Sequence, residues 1–488
     1  MTMPARIVFF CLLAFSLATQ PRCAPQLPST RPLNSPRPAS PDIFITGQFT
    51  NEADLDPGPG ETIFTVPDSG FYLSQLSENG DFDSALVWGG THSYWDTGLQ
   101  IGTDREGSVY VAGYFEGDVN FNPGPEIDEL TSNGEKDVFL LKLSGDGDQI
   151  WARSFGGPLD DQCRGLNVEP DGRSHIAGSF LGTADFDPSD ASVQLSSAGD
   201  SDAFLCNLDT DGNFLWAKTW GGAGPDWATG MGVGGFGKIY DTASFEGESD
   251  FDPGAGVEMR TSNGRDDVFV LKIDSRGWAD WVRCWGGPED DRSYGVAVDP
   301  DGGSWITGGF QSTVDFDPGP GLDAQSSNGG CDVFLTRLSP SGGYLWTLTW
   351  GGPGDDIGLE NICDRDGNQY ITGWFEDTVD FDPGPSERFV SSHGGKDLYL
   401  SKFKPDGTLE WVITWGGPLD DEGHAVIMDK NGDVILVGVI RGTINSESGP
   451  IIDRAATSEG GDFAAKLTPS GELVWLKTWD PTTSETAG

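Results

Sequence analysis

The step Trp-Gly-Gly or Phe-Gly-Gly occurs at Trp88, Phe155, Trp220, Trp285, Trp350 and Trp415, and subtracting successive positions gives 67, 65, 65, 65 and 65. A second marker keeps the same period. The acidic turn DFDPG starts at Asp250, Asp315 and Asp380, weakens to DFDPS at Asp185, NFNPG at Asn120 and DLDPG at Asp54, and decays to Asn445 in GTINSESG. Two markers locked together define one unit of 65 residues, repeated seven times. A unit of this kind cannot bury its apolar surface alone, so the copies must pack on one another.

Within residues 286–350, GGPEDDRS leads into YGVAV, the turn DPDGG, then SWITGGF. After DFDPGPG and SSNGG come DVFLTRL, the turn SPSGG and YLWTLTW. The four apolar runs are rich in β-branched and aromatic residues and bounded by Gly, Pro, Asp and Asn, as strands are. The first and last turns are tight enough to join antiparallel pairs, and no stretch has a helical period. Trp346 and Trp350, four apart, share one face of the fourth strand. The pair recurs at Trp216/Trp220, Trp281/Trp285, Trp411/Trp415 and Trp475/Trp479, with Trp151/Phe155 as a partial copy. Copied into every unit, it reads as core between sheets rather than a substrate platform. The expected fold is all-β: a seven-bladed β-propeller of four-stranded antiparallel blades over 42–479. Because the first copy opens on the second strand, DIFITGQF, one blade should have three main strands or a poor closing strand from the linker or tail.

GGPGDDIG (351–358), DRDGNQYITGWF (364–375), DFDPGP (380–385) and GGKDLYLSKFKPDG (394–407) together resemble the SBBP-type β-propeller repeat proteins of bacterial cell surfaces. Order, spacing and turn residues agree over several copies from 42 to 479. One departure is an added acid, D-F-D-P where that family has D-F-P. The resemblance implies a fold and a surface location and no particular reaction.

Arg6 precedes the apolar run IVFFCLLAFSLA, and Ser16-Leu17-Ala18 offers small residues to a signal peptidase, so 1–18 reads as a signal peptide. The run is shorter than the ~20 residues of a membrane span, and Arg22 before Cys23 spoils a lipobox. Residues 19–41 form a Pro/Ser/Arg-rich linker and 480–488 a C-terminal tail. The chain is therefore expected to be exported, secreted or held at the cell surface or periplasm of a bacterium. Its net charge of -48 repels nucleic acid and anionic lipid and favours cationic partners and divalent metal. With 17 Trp and 28 Phe it can still build a core, so the acidity is not a mark of disorder.

In a propeller the loop from the fourth strand into the next blade and the loop from the second strand to the third share one face. The pairs Asp160-Asp161, Asp290-Asp291, Asp355-Asp356 and Asp420-Asp421 should therefore lie with DFDPG, opposite the DPDG turns. Two readings of DFDPG stay open. Asp185, Asp187, Asp250, Asp252, Asp315, Asp317, Asp380 and Asp382 are hard oxygen donors in D-x-D spacing, suited to calcium. Equally, Asp in a turn accepts from the amides that follow, Pro-Gly fixes the bend, and the Phe between the acids plugs the blade. Duplication copies turns in any case, so the scaffold reading comes first.

Departures from the period are better pointers to a unique site. Trp88 to Gly107 is 19 positions where later units have 17, and the insertion in GGTHSYWDTG brings His92, Tyr94 and Trp95 to the acidic face. Trp227 replaces a polar residue in a later unit. Such aromatics suit a sugar or peptide, or fold back over a blade edge. The four histidines fall in no HExxH spacing and no GxSxG elbow occurs. The expectation is a monomeric, non-catalytic module binding a protein or polysaccharide at the cell surface. An extracellular hydrolase or lyase at the axial mouth is the alternative.

Overall fold

The computed structural model describes residues 14–15, 43–58, 60–89, 97–124, 126–442, 445–448 and 461–479. In the fifth unit, Arg292–Val298, Ser304–Phe310, Asp332–Leu338 and Tyr344–Trp350 form a four-stranded antiparallel meander in sequence order. The same meander follows in the other units, with first strands at Thr97–Thr103, Asp161–Val168, Gly230–Gly234, Asp356–Cys363 and Glu422–Met428. A 3-10 turn at Gly235–Gly237 is the one helical element among the described residues, and no helix there is long and apolar enough to cross a membrane. The five described cysteines are free thiols.

The first unit has three long strands, Ile43–Asp54, Ile63–Leu76 and Phe82–Gly89, beside a two-residue strand, Ala14–Phe15, that pairs with Phe44 and Ile43. The short closing strand comes from within residues 1–18, the stretch that reads as a signal peptide, not from the linker or tail. Cleavage after Ala18 would remove it.

Neighbouring sheets bury apolar faces against each other. Trp305, Val333, Leu335 and Trp350 of the fifth unit pack on Ile371, Phe375, Val379 and Phe381 of the sixth. The last unit docks on the first in the same way: Ala425, Ile435, Val437, Ala464 and Trp479 share a core with Ile43, Ile45, Phe49 and Tyr72. Trp479 Nε1 donates to the Leu55 carbonyl at 3.1 Å, as Trp88 Nε1 does to that of Phe121 at 2.8 Å. The tryptophan pair divides its work. Its second member is buried between sheets, from Trp88 to Trp479. The first member also latches: Trp281, Trp411 and Trp475 donate Nε1 to Pro340, Pro469 and Glu78 carbonyls in the next unit's turn, at 3.3, 3.3 and 3.1 Å.

Successive first strands pack side by side on the inside of the array. Most carry a bulge at one register, where the ladder skips Arg164, Tyr294, Leu359 or His424. A bulge re-aims the skipped side chain, and here these four are left half-buried.

Candidate functional site

The six copies from Asp54 to Asp380 each fold on themselves. Asp315 Oδ1 accepts from the Asp317 and Asp323 amides at 3.2 and 2.8 Å, and Asp317 Oδ1 from Gly319 at 2.7 Å. Asp250 and Asp252, Asp380 and Asp382, and Asp185 and Asp187 make the same set. So do Asn120 and Asn122, with 3.1, 2.9 and 2.7 Å bonds. A neutral amide serving equally shows that the turn needs an acceptor oxygen, not a charge. Phe121, Phe186, Phe251, Phe316 and Phe381 are buried beneath, as plugs. Gly321 admits the bend: a Cβ there would meet Asp317 Oδ2 at 2.0 Å. Among the described residues no cluster of three or more His, Cys, Asp or Glu side chains is arranged to hold a metal ion. The double variant Asp315→Asn/Asp317→Asn should keep stability within about 0.5 kcal/mol of the parent. Asp315→Ala, which loses two bonds, should cost about 1–2 kcal/mol. Urea unfolding checks both.

The two acidic loops do share a face. Gly156 and Asp185 exchange backbone hydrogen bonds of 3.1 and 3.0 Å, joining the inter-unit loop to the second-to-third connection. Within that face the second acid of each pair, and Asp226 at the same register after Pro225, turns inward. Asp161, Asp226, Asp291, Asp356 and Asp421 are buried, and Oδ2 of each accepts from the second glycine of the Gly-Gly step at 2.5–2.7 Å. A further acid, overlooked in the sequence, faces each of them. Asp137, Asp202, Asp267, Asp332 and Asp397 stand on the third strand at the same 65-residue period and are equally buried. A Cβ on Gly156 would lie 2.6 Å from Asp137 Oδ1 and 2.8 Å from Asp161 Oδ2, so both carboxyls crowd one glycine. Burial, then the facing acid among lesser causes, pushes Asp161 up to about 8 and Asp226, Asp356 and Asp421 to about 7. Burial lifts Asp137, Asp202 and Asp332 to about 6.

Just after these invariant acids the repeat diverges. At the next register stand Gln162, Trp227, Arg292, Ile357 and Glu422, and two residues on, Arg164, Thr229, Tyr294, Leu359 and His424. The alternating residues between them are buried, so these side chains make up the variable mouth of the inner strands. Trp227 is 37% exposed there. Arg292 Nε donates to Asp266 Oδ2 at 2.7 Å. On the far side Glu422 is bound by His424 Nε2 at 3.1 Å and Lys396 Nζ at 3.0 Å, and the ammonium lies 3.9 Å from the Trp374 ring centre. The His424 hydrogen bond, helped by Lys396, holds the Glu422 carboxyl down near 2. Deeper, Glu360 stands where other units have Gly165, Gly230, Gly295 and Ala425. Packed in by neighbouring strands though half-open to solvent, its carboxyl is pushed up to about 8. Of the aromatic candidates, Trp227 thus lies at the mouth, while His92, Tyr94 and Trp95 fall outside the described residues.

No family model matches the chain. It is 20% identical over 474 residues to a WD repeat-containing protein, L264, of Acanthamoeba polyphaga mimivirus, covering 80% of this chain and 34% of that protein. It is 25% identical over 380 residues to the regulatory protein FlaEY of Caulobacter vibrioides, covering 71% and 37%. The chain thus spans about a third of the length of these curated relatives. A solved structure of the rhamnogalacturonan lyase YesW aligns over 90% of this chain and 88% of that one, at 13% identity and a TM-score of 0.26, too loose a match to carry an argument. What sequence and structure agree on is an all-β chain of repeated antiparallel sheets, similar in sequence to a WD repeat-containing protein.

Proposed function

We propose that this chain is a seven-bladed β-propeller, exported by a bacterium, that binds a protein or carbohydrate partner at the mouth of its inner strands without transforming it. The observation that carries the reading is the divergence beside the invariant acids. Asp161 and its copies hold one role at every period, whereas the next residues run through Gln, Trp, Arg, Ile and Glu. Duplication made these positions alike, and a scaffold needs no such variety at its opening. Trp227, Trp374 and Tyr294 supply aromatic faces, and Arg292 and Lys396 supply cations, the residue types that dominate recognition surfaces. The likeness to a WD repeat-containing protein supports a repeat-built scaffold.

The test is a panel of bacterial-surface oligosaccharides and peptides presented to the full chain, with affinities compared for Trp227→Ala, Trp374→Ala and Arg292→Ala. Loss of an aromatic anchor should weaken the partner at least tenfold, about 1.4 kcal/mol, while the unfolding midpoint stays put. Unchanged affinity in all three variants would move the site elsewhere. An extracellular hydrolase or lyase is the second reading, favoured by the His424–Glu422 contact at the same mouth. Product release from a bound oligosaccharide, abolished by His424→Ala, would establish it.

A further inference from the structure

On the face opposite the acidic loops, in four of the units a basic side chain of the third strand clamps the unit to the next. Lys142 Nζ donates to the Thr210 carbonyl at 3.2 Å, Lys272 to Pro340 at 2.8 Å, Arg337 Nη1 to Pro405 at 2.8 Å and Lys402 to Pro469 at 3.1 Å. Each cation lies over a ring of the second strand, with Tyr110, Tyr240, Trp305 and Tyr370 at 4.9, 4.8, 4.7 and 5.2 Å. A turn carboxylate completes some of these cradles: Asp104 is 3.6 Å from Lys142 and Asp299 is 3.1 Å from Arg337.

The third unit breaks this pattern. By the 65-residue period its cation, ring, carboxylate and facing turn carbonyl fall at Asn207, His175, Glu169 and Ser275. Asn207 is too short to cross to the next unit, and its amide lies 2.5 Å from His175 Nδ1 instead, with both residues fully buried. His175 Nε2 is 2.9 Å from Glu169 Oε1. Between the third and fourth units opens a cavity of about 600 Å³, lined by Glu169, Arg173, Asn167, Val233, Gly234 and Ser275. Arg173 is held at the rim by Asp171 at 3.2 Å and stands 4.0 Å from Glu169.

Elsewhere in the same interface, away from the residues that line the cavity, lies an unpaired group. Asp241 replaces the isoleucine of neighbouring units, Ile176, Ile306 and Ile371. It is completely buried, and neither carboxyl oxygen has a partner. Its strand neighbours on the same face, Ile239 and Ala243, pack into the core shared with Ala177 and Leu205 of the third unit.

We propose that this cavity takes an organic cation from outside the chain, an alkylammonium of about the size of a lysine side chain. The cradle that holds the chain's own ammonium elsewhere keeps its carboxylate, Glu169, and its turn residue, Ser275, but contributes no lysine. The volume falls within the roughly 300–1,000 Å³ of small-ligand pockets. A net charge of -48 concentrates cations at the surface. Free polyamines and lysine side chains of a polypeptide share this chemistry.

The test titrates the full chain with 1,5-diaminopentane, with Nα-acetyl-lysine methylamide and with 1,5-pentanediol as the neutral control, at fixed ionic strength. Calorimetry and the unfolding midpoint are the readouts. Either amine should bind and raise the midpoint, and the diol should not. A preference for the diamine points to free polyamines, and a preference for the lysine derivative to a polypeptide. Asn207→Lys, which restores the clamp of the other units, should raise the midpoint of the free protein and weaken amine binding at least tenfold. Glu169→Gln should weaken binding similarly without that rise. Amine binding that survives intact in Asn207→Lys, or equal responses to the diol, would overturn the proposal.

Discussion

Raising the pH from 5 to 8 should destabilise this protein by about 7 kcal/mol, taking roughly one pK unit, ~1.4 kcal/mol, for each of five buried acid pairs. The sign follows from where the protons are. An aspartate whose folded pKa lies above its unfolded value binds protons more tightly when folded. Its contribution is complete below the ordinary aspartate range near 4 and is lost as pH rises through the folded value. Asp137, Asp202, Asp291 and Asp332 cover the lower part of that window, near 6. Asp226, Asp267, Asp356 and Asp421 follow near 7, and Asp161 near 8. Releasing both protons of a pair sets two charges across one glycine in a buried site, where water screens them poorly. Surface repulsion in so acidic a chain acts in the same direction. Urea unfolding at pH 5 and pH 8 measures the difference. Asp161→Asn, which keeps the acceptor for Gly157, should raise stability at pH 8, leave pH 5 little changed and so flatten the profile. A midpoint that climbs from pH 5 to pH 8 would refute the pairing.

Trp479→Ala should cost about 3–5 kcal/mol, the usual penalty for emptying a buried tryptophan site. Trp350→Ala, between the fifth and sixth units, should cost as much, because both indoles are nearly inaccessible and both sit between sheets. Equality is the informative result. If the last unit did not dock on the first, Trp479 would face solvent and its loss would cost under about 1 kcal/mol, as surface changes do. A broad transition in Trp479→Ala beside a sharp one in the parent would show that closure couples the units, since open arrays lose cooperativity unit by unit.

The period was legible because duplication fixed it. The Trp-Gly-Gly step, the DFDPG turn and the tryptophan pair each announced a strand or a bend, and the shared face of the two acidic loops followed from strand order. The source of the first unit's short inner strand was not legible, because Ala14–Phe15 lies in a run that reads as a leader and pairs across the 27 residues between Phe15 and Ile43. The buried acids on the third strand, Asp137 and its copies, kept the period as strictly as DFDPG did. They were missed because an acid before Val-Phe looks like a solvated strand end until the facing sheet covers it. The altered cradle of the third unit was visible in principle: His175 and Asn207 each depart from residues at the same register. Reading them as one place needed the register of the second and third strands, which sets His175 opposite Asn207.

The repeated acids are scaffold, with each DFDPG carboxylate already answered by backbone amides. The most direct measurement is thermal unfolding of the full chain in EDTA, in excess calcium and in excess magnesium at constant ionic strength. A bound ligand at a hundred times its dissociation constant adds about 2.7 kcal/mol per site, so several sites would be plain. Equal midpoints in calcium and magnesium are the predicted result. A large rise specific to calcium, lost in Asp315→Asn/Asp317→Asn, would make DFDPG a metal loop rather than scaffold.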